Sequence, residues 1–155
     1  MEPLDKRFNI AIQHIANKLC PGGYEVADDA PDTYARLRAH LDFTKQMKVW
    51  SGGSENTIYA DREVNWAFRA WHDWCHYNGA HPFTPEGERA VFEMQCSHLF
   101  LFYGDCYQTR LWIKILRAEI IGQQEHFYKH GHYPHDQRAF VEAYLNGIYF
   151  IQAAE

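Results

Sequence analysis

Apolar residues recur three or four positions apart over most of this chain, the spacing that places them on one face of an α-helix. The first such stretch covers residues 4–19 and stops at Pro21-Gly22-Gly23. Further helices are predicted over residues 30–50, 61–79, 84–103, 109–130 and 134–151. Strand-like alternation of apolar and polar residues is absent. The pattern therefore predicts an all-α fold, a single-domain bundle of about six helices that covers residues 1–155.

The third and fourth predicted helices have the clearest boundaries. Asp61 is a good N-cap for the third helix, and Asn78-Gly79 closes it. Thr84 followed by Pro85 combines a cap residue with a first-turn proline at the start of the fourth helix. Because the connection between the two helices is short, the fourth helix is expected to fold back beside the third.

Composition narrows the classes of function. The chain has 155 residues, of which 46% are hydrophobic, and its 20 acidic and 15 basic residues give a formal net charge of -5. This balance offers no basic surface for a nucleic acid, so no nucleic-acid partner is expected. The 25 aromatic residues, 10 Phe, 10 Tyr and 5 Trp, can form a core or line a pocket for an apolar or planar ligand. A small-molecule substrate of that class is expected, and a homo-oligomer stays open.

Cysteine content and the N-terminus bear on the compartment. The four cysteines include no Cys-x-x-Cys pair, so neither a thiolate zinc site nor a redox dithiol is indicated. The N-terminus lacks the basic start and apolar stretch of a signal peptide, and no stretch approaches the roughly 18 unbroken apolar residues of a spanning helix. The prediction is a cytoplasmic protein without a transmembrane segment.

Among the 10 histidines, two stand in the pattern His72-Asp73-x-x-His76 on the third predicted helix. On a helix, His76 lies about 40° around from His72, and Asp73 lies about 60° further on the same side. Glu88 follows after eleven residues, one turn into the next helix. Imidazole and carboxylate ligands suit a divalent zinc, iron or manganese ion, and magnesium stays open. We therefore predict metal ligation by His72, His76 and Glu88, with Asp73 as a fourth ligand or as a partner of the ligands.

The candidate catalytic residues are Asp73, Glu88 and Arg69, since Arg69 lies one turn before His72 and is the best placed cation for an anionic substrate. Zinc, manganese or magnesium would indicate a hydrolase or a non-oxidative lyase, whereas iron would allow oxidative chemistry on an organic ring. Two alternatives involve no catalysis. The histidines could be buried, hydrogen-bonded core residues, or a metal could pin two helices together in a binding or assembly protein.

Residues 69–76 (RAWHDWCH), Pro82 and residues 87–91 (GERAV) resemble the signature of the coenzyme Q (ubiquinone) biosynthesis family, His-Asp-x-x-His, eleven residues, then Glu. In that family the motif is the metal site of a helical, membrane-associated protein. Such proteins bind a long prenyl tail and act on the aromatic head group, as organisers and as oxidative decarboxylases. The resemblance covers about 25 residues. It implies metal ligation by His72, Asp73, His76 and Glu88.

A weaker resemblance is to the metal phosphohydrolases of the His-Asp superfamily, which would act on nucleotides. Those enzymes combine an early His, an adjacent His-Asp pair and a late Asp around one or two metals that activate water against a phosphate ester. Here His40 would be the early ligand, and Asp136 or Glu119 would close the site. A ferritin-like carboxylate bundle is disfavoured, because it needs Glu-x-x-His pairs on two helices and the chain has none.

Overall fold

The computed structural model describes the backbone of residues 1–154 and the side chains of residues 1–147. Seven helices are found in this range, α1 (Lys6–Leu19), α2 (Tyr34–Thr44), α3 (Arg62–Gly79), α4 (Pro85–Tyr103), α5 (Tyr107–Arg117), α6 (Gln123–His130) and α7 (Gln137–Ala154). A π-helical segment, Ala118–Gly122, joins α5 to α6. The prediction of a mostly helical bundle is confirmed. None of the helices within residues 1–154 is both long and apolar enough to cross a membrane.

Two short strands depart from the prediction. β1 (Tyr24–Ala27) and β2 (Met47–Trp50) pair in parallel, with Val26 opposite Val49. These two strands are an addition to the helical bundle that the sequence pattern does not predict. Each strand has four residues, too few for an alternating pattern to stand out. Because parallel strands need a crossover connection, α2 lies between them in the chain.

The second helix is shorter at both ends than residues 30–50. It begins after Thr33, whose Oγ1 accepts a hydrogen bond from the backbone N–H of Arg36 at 3.2 Å. It ends where Lys45 adopts a left-handed backbone conformation with φ 60°. The apolar residues that follow, Met47 and Val49, are buried in β2 rather than on the helix. Their spacing of two indicates a strand, but the helical spacing before them extends across the boundary.

The other predicted helix starts agree more closely with the structure. The Asp61 carboxylate accepts from the backbone N–H of Glu63 at 2.9 Å, and the Thr84 hydroxyl accepts from that of Gly87 at 3.0 Å. Both predicted caps are thus confirmed. The first helix begins at Lys6 rather than at residue 4, because Asp5 caps it.

α3 is the central element, since it contacts α1, α2, α4 and β2. Trp71 and Cys75 on this helix are completely buried. They pack in one cluster with Ile12 and Ile15 of α1 and with Val91 of α4. Each large apolar side chain buried in this way contributes roughly 1.5–3 kcal/mol to the free energy of unfolding. This packing holds α3 and α4 side by side.

The sequence predicted one regular helix over residues 109–130, but the structure divides this stretch into α5, the π-helical segment and α6. The π-helical segment interrupts the α-helical pattern with a wider turn. Gly122 lets this segment pack closely against α7, since a Cβ atom there would lie only 2.9 Å from Cε2 of Tyr144. The apolar spacing of three and four continues through the segment, so the pattern of residues does not reveal it.

Candidate metal centre

Three potential ligand atoms converge between α3 and α4. Nε2 of His72 lies 3.0 Å from Oε2 of Glu88, and Nε2 of His76 lies 3.3 Å from Oε1 of the same carboxylate. The two Nε2 atoms are 3.1 Å apart. One ligand atom from each residue lies within 4.8 Å of the others, and no second group of this kind occurs among the residues with described side chains. The structure therefore confirms a His72-His76-Glu88 group that could hold a metal ion.

The second nitrogen of each imidazole is hydrogen-bonded. Nδ1 of His72 donates to Oε1 of Gln95 at 2.8 Å, and Nδ1 of His76 donates to the backbone carbonyl of His81 at 2.7 Å. Because a neutral imidazole that donates through Nδ1 has its lone pair on Nε2, both rings direct a lone pair at the same point when both are neutral. Partners of this kind are typical of metal-binding histidines.

Close packing at the start of α4 positions Glu88. A Cβ atom at Gly87 would lie 1.8 Å from the backbone oxygen of Pro82, so only glycine allows the connection to pack this tightly against the helix. His81 on this connection is also the residue whose carbonyl holds His76. The tight connection therefore fixes the carboxylate and one imidazole together.

Aromatic rings surround the two imidazoles. The ring of Phe68 stacks on His72 with centroids 5.9 Å apart, and the edge of Phe83 meets His76 at 4.6 Å. The His72 side chain is 18% exposed, whereas that of His76 is 1% exposed. The His76 imidazole is thus enclosed, with apolar surface beside it, whereas the His72 side chain is partly exposed to solvent.

The charges of His72 and Glu88 shift each other's pKa. Burial alone would lower the pKa of His72, but the attraction and hydrogen bond of Glu88 outweigh it and raise that pKa to about 9. Burial likewise opposes ionisation of Glu88, yet His72 and His76 lower its pKa to about 2. The metal-free protein therefore holds an ion pair at neutral pH, in the place where a cation would bind.

Asp73 lies beside this group rather than within it. Its carboxyl group lines a cavity of about 740 Å³ together with Arg69, Trp50 and Tyr133. Burial raises the pKa of Asp73, and the charges of His72 and His76 partly offset this effect. The carboxylate of Asp73 accepts no hydrogen bond from the residues whose side chains are described. Asp73 is therefore a neighbour of the His72-His76-Glu88 group and not a member of it.

Arg69 is held by backbone carbonyl groups at the end of β2. Its guanidinium donates to the oxygens of Trp50, Gly52 and Gly53. It also lies over the Trp50 ring, 5.1 Å from the centroid. Arg69 also lines the cavity that contains Asp73. Its hydrogen bonds to the three carbonyl groups therefore hold one wall of that cavity in place.

A phosphohydrolase site would also need His40 and either Asp136 or Glu119, and none of these belongs to the His72-His76-Glu88 group. Nε2 of His40 bonds the carbonyl of Gln46 at the end of α2, 3.0 Å away. Asp136 is exposed and caps α7 by accepting from the backbone N–H of Ala139 at 2.9 Å. Glu119 is buried in the π-helical segment and lines a different cavity.

The sequence interpretation missed Gln95 and the carbonyl of His81. Gln95 stands seven residues after Glu88, so both lie on the same face of α4, and its complete burial is unusual for an amide. That spacing was a usable signal. No residue type marks a backbone carbonyl, so only the fold could show the role of His81.

Comparison of the chain with protein families, with curated proteins and with solved structures finds no match.

Proposed function

We propose that this protein is a mononuclear metalloenzyme that holds a divalent cation through Nε2 of His72, Nε2 of His76 and the carboxylate of Glu88. One observation carries the proposal: the three ligand atoms converge while both Nδ1 atoms are bound by acceptors. Three protein ligands leave coordination positions open, which is typical of catalytic rather than structural sites. The ligand set of two imidazoles and one carboxylate suits zinc or non-haem iron.

The reaction that best fits is hydrolysis or non-oxidative lyase chemistry. A bound cation supplies Lewis acidity and lowers the pKa of water. Asp73 serves as the proton acceptor, because its carboxyl group borders the cavity, lies close enough to both imidazoles for their charges to act on its pKa, and has no hydrogen-bond partner among the described side chains. Phe68 and Phe83 keep water from the rear of the imidazoles.

A second candidate function is oxidative decarboxylation with iron, the activity that the resemblance to the ubiquinone biosynthesis family implies. The specific observation in its favour is the set of aromatic side chains around the adjoining cavities. Trp50 and Tyr133 line both the cavity that contains Asp73 and the cavity that contains Glu119. Phe68 lines the second of these cavities. These walls suit an apolar or aromatic substrate of small size.

Elemental analysis of protein purified without a histidine tag tests the metal site. We expect about one equivalent of a divalent transition metal per chain, by the three-ligand chemistry of such sites. His76→Ala and Glu88→Gln should remove it. His40→Ala is the matched control and should retain it, since His40 bonds Gln46 elsewhere. A metal content near zero, unchanged in His76→Ala, would overturn the proposal.

Activity screens then separate the candidate reactions. The zinc, manganese and magnesium forms are tested on ester, amide and phosphate ester panels, and the iron form on aromatic carboxylic acids with dioxygen. Turnover that disappears in His76→Ala identifies the class. A protein that binds metal tightly, melts at a lower temperature without it and turns over no substrate would be the metal-stabilised assembly protein instead.

A further inference from the structure

Four histidines lie close together where α6 ends and the connection to α7 begins. His126 and His130 lie on α6, four positions apart, and His132 and His135 lie on the connection, residues 131–136. The ring centres are 4.4 Å apart for His126 and His130, 5.5 Å for His126 and His132, and 4.8 Å for His132 and His135. We call these four residues the histidine cluster. None of them belongs to the candidate metal centre between α3 and α4.

The ring spacings of the histidine cluster match those around a single metal ion. With a Zn–N bond of about 2.0–2.1 Å, two imidazoles on one tetrahedral ion have ring centres about 5 Å apart. The spacings in the cluster range from 4.4 to 6.2 Å, on both sides of this value. As the rings stand, no three of these residues bring one ring nitrogen each within 4.8 Å of the others. A turn about the Cβ–Cγ bond moves the nitrogen atoms but leaves the ring centre nearly in place, so the rings can converge without a change in their spacing.

Few interactions hold these rings in their present orientation. The imidazoles of His130 and His135 are exposed and make no hydrogen bond with the residues whose side chains are described, and exposed side chains turn rapidly. His126 is half-buried, and its Nε2 atom is enclosed without a partner among those residues. Two of the three rings packed on His126 are the exposed imidazoles of His130 and His132, and the third is Phe140. Because these two imidazoles are free to turn, a cation can reach the enclosed nitrogen.

The hydrogen bonding and charge of the histidine cluster also suit a cation. Nδ1 of His132 donates to the backbone carbonyl of Tyr133 at 2.8 Å, so a neutral ring has its lone pair on Nε2. Burial lowers the pKa of His126, and the charges of the other three histidines and of Lys129 act in the same direction. Since the ordinary pKa of histidine is about 6.5, His126 is neutral at neutral pH and has a lone pair to offer.

We propose that the histidine cluster is a second metal site, which takes zinc or copper(II) through the imidazoles of His126, His130, His132 and His135. A donor set made only of imidazoles suits zinc, copper and nickel, whereas magnesium, calcium and manganese prefer oxygen ligands. Because exposed side chains lose rotational freedom when they ligate, this site is weaker than the candidate centre between α3 and α4 and fills when metal is added.

A metal in the histidine cluster would fix a wall of the neighbouring cavities. His132 and His135 flank Tyr133 and Pro134 in the chain. Tyr133 lines both the cavity that contains Asp73 and the cavity that contains Glu119, and Pro134 lines the second. An ion bound on both sides of this pair therefore clamps the connection to the end of α6 and holds Tyr133 in place.

Calorimetric titration of zinc into the EDTA-treated full-length chain, purified without a histidine tag, tests the site. We expect one equivalent whose affinity falls at least about tenfold in His132→Ala and in His135→Ala, the effect of one lost ligand. His40→Ala is the matched control, because its imidazole is exposed on α2 and should leave this equivalent unchanged. No such equivalent at submillimolar zinc would overturn the proposal. So would an equivalent that neither cluster variant weakens, because the helical pair His126 and His130 alone would then hold the ion.

Hydrogen exchange tests the clamp and separates the two metal sites. Added zinc should increase the protection of residues 131–136 in the native chain and in His76→Ala, but not in His135→Ala. Protection that zinc leaves unchanged in the native chain would contradict the clamp. The equivalent that weakens in His135→Ala should persist in His76→Ala, so either metal site can be absent while the other is found. If His76→Ala does not fold, the native chain and the variants of the exposed histidines still decide the outcome.

Discussion

Nε2 of His72 and Oε2 of Glu88 form an ion pair 3.0 Å apart, at the point where a metal ion would bind. Metal and proton therefore compete for the same imidazole. Since the pKa of His72 is about 9 in the metal-free protein, the ring is protonated at neutral pH and must lose its proton before it can ligate a cation.

The metal affinity should accordingly rise with pH. We expect the association constant for zinc or manganese to increase about tenfold per pH unit from pH 7 to about 9 and then to level off. Titration against a chromophoric chelator, corrected for the pH dependence of the chelator, measures this slope. Calorimetry in two buffers of different ionisation enthalpy should show about one proton released per metal. An affinity that stays flat over this range would contradict the ion-pair argument.

Gln95 should be a positioning residue for the metal. Gln95→Leu removes the acceptor of the His72 Nδ1–H group and should weaken metal binding about 10–100-fold. The metal-free melting temperature should change little, because two effects oppose each other: the Nδ1–H group of His72 loses its acceptor, but Nε2 of Gln95, a buried atom without a partner among the described residues, is removed. Gln95→Glu keeps an acceptor and should retain affinity. A uniform loss of stability in both variants, with affinity per folded molecule unchanged, would assign Gln95 a packing role instead.

Gly87 should be essential for the position of Glu88. In Gly87→Ala the new Cβ meets the backbone oxygen of Pro82, which no side-chain rotation can relieve, so α4 must move away from the connection. We expect lower metal affinity together with a loss of about 1–3 kcal/mol in the free energy of unfolding, the usual cost of overpacking. Gly147→Ala is the control, since nothing lies within 4 Å of a Cβ there. Chemical denaturation and chelator titration measure the two effects.

Asp73→Asn should separate metal binding from catalysis. The variant should keep its metal, because Asp73 lies outside the convergent ligand group, and turnover should fall about 10²–10⁴-fold if Asp73 is the proton acceptor. The fall in turnover at low pH, which reports protonation of Asp73, should be absent in the variant. Asp136→Asn is the matched control, because asparagine caps a helix as well as aspartate. Loss of metal from Asp73→Asn would instead make Asp73 a ligand.

The metal group could be predicted because it depends on local geometry. The four-residue spacing of His72 and His76 and the position of Glu88 near a helix start follow from helix periodicity and a short connection. The partners of the imidazoles depend on how α3 and α4 are packed, and one of them is a backbone carbonyl. Pairing of β1 with β2 joins residues more than 20 positions apart, which no local pattern of four residues reveals.

The buried carboxyl group of Glu119 should destabilise the protein as the pH rises. Its pKa is about 7 in the folded protein and near the ordinary value of 4.5 in the unfolded chain. Between these values the folded state binds more protons than the unfolded state, so stability falls as pH increases from about 4.5 to 7 and is flat above. The total effect is on the order of 3 kcal/mol.

Glu119→Gln removes this titration. The difference in melting temperature between the variant and the native sequence should therefore grow from pH 5 to pH 8 in favour of the variant. All other titrating groups are common to both proteins and cancel in the comparison. Glu125→Gln, where the side chain is exposed, should show no such trend. A difference that is constant with pH would mean that Glu119 is ionised throughout, and that a partner within the fold already satisfies it.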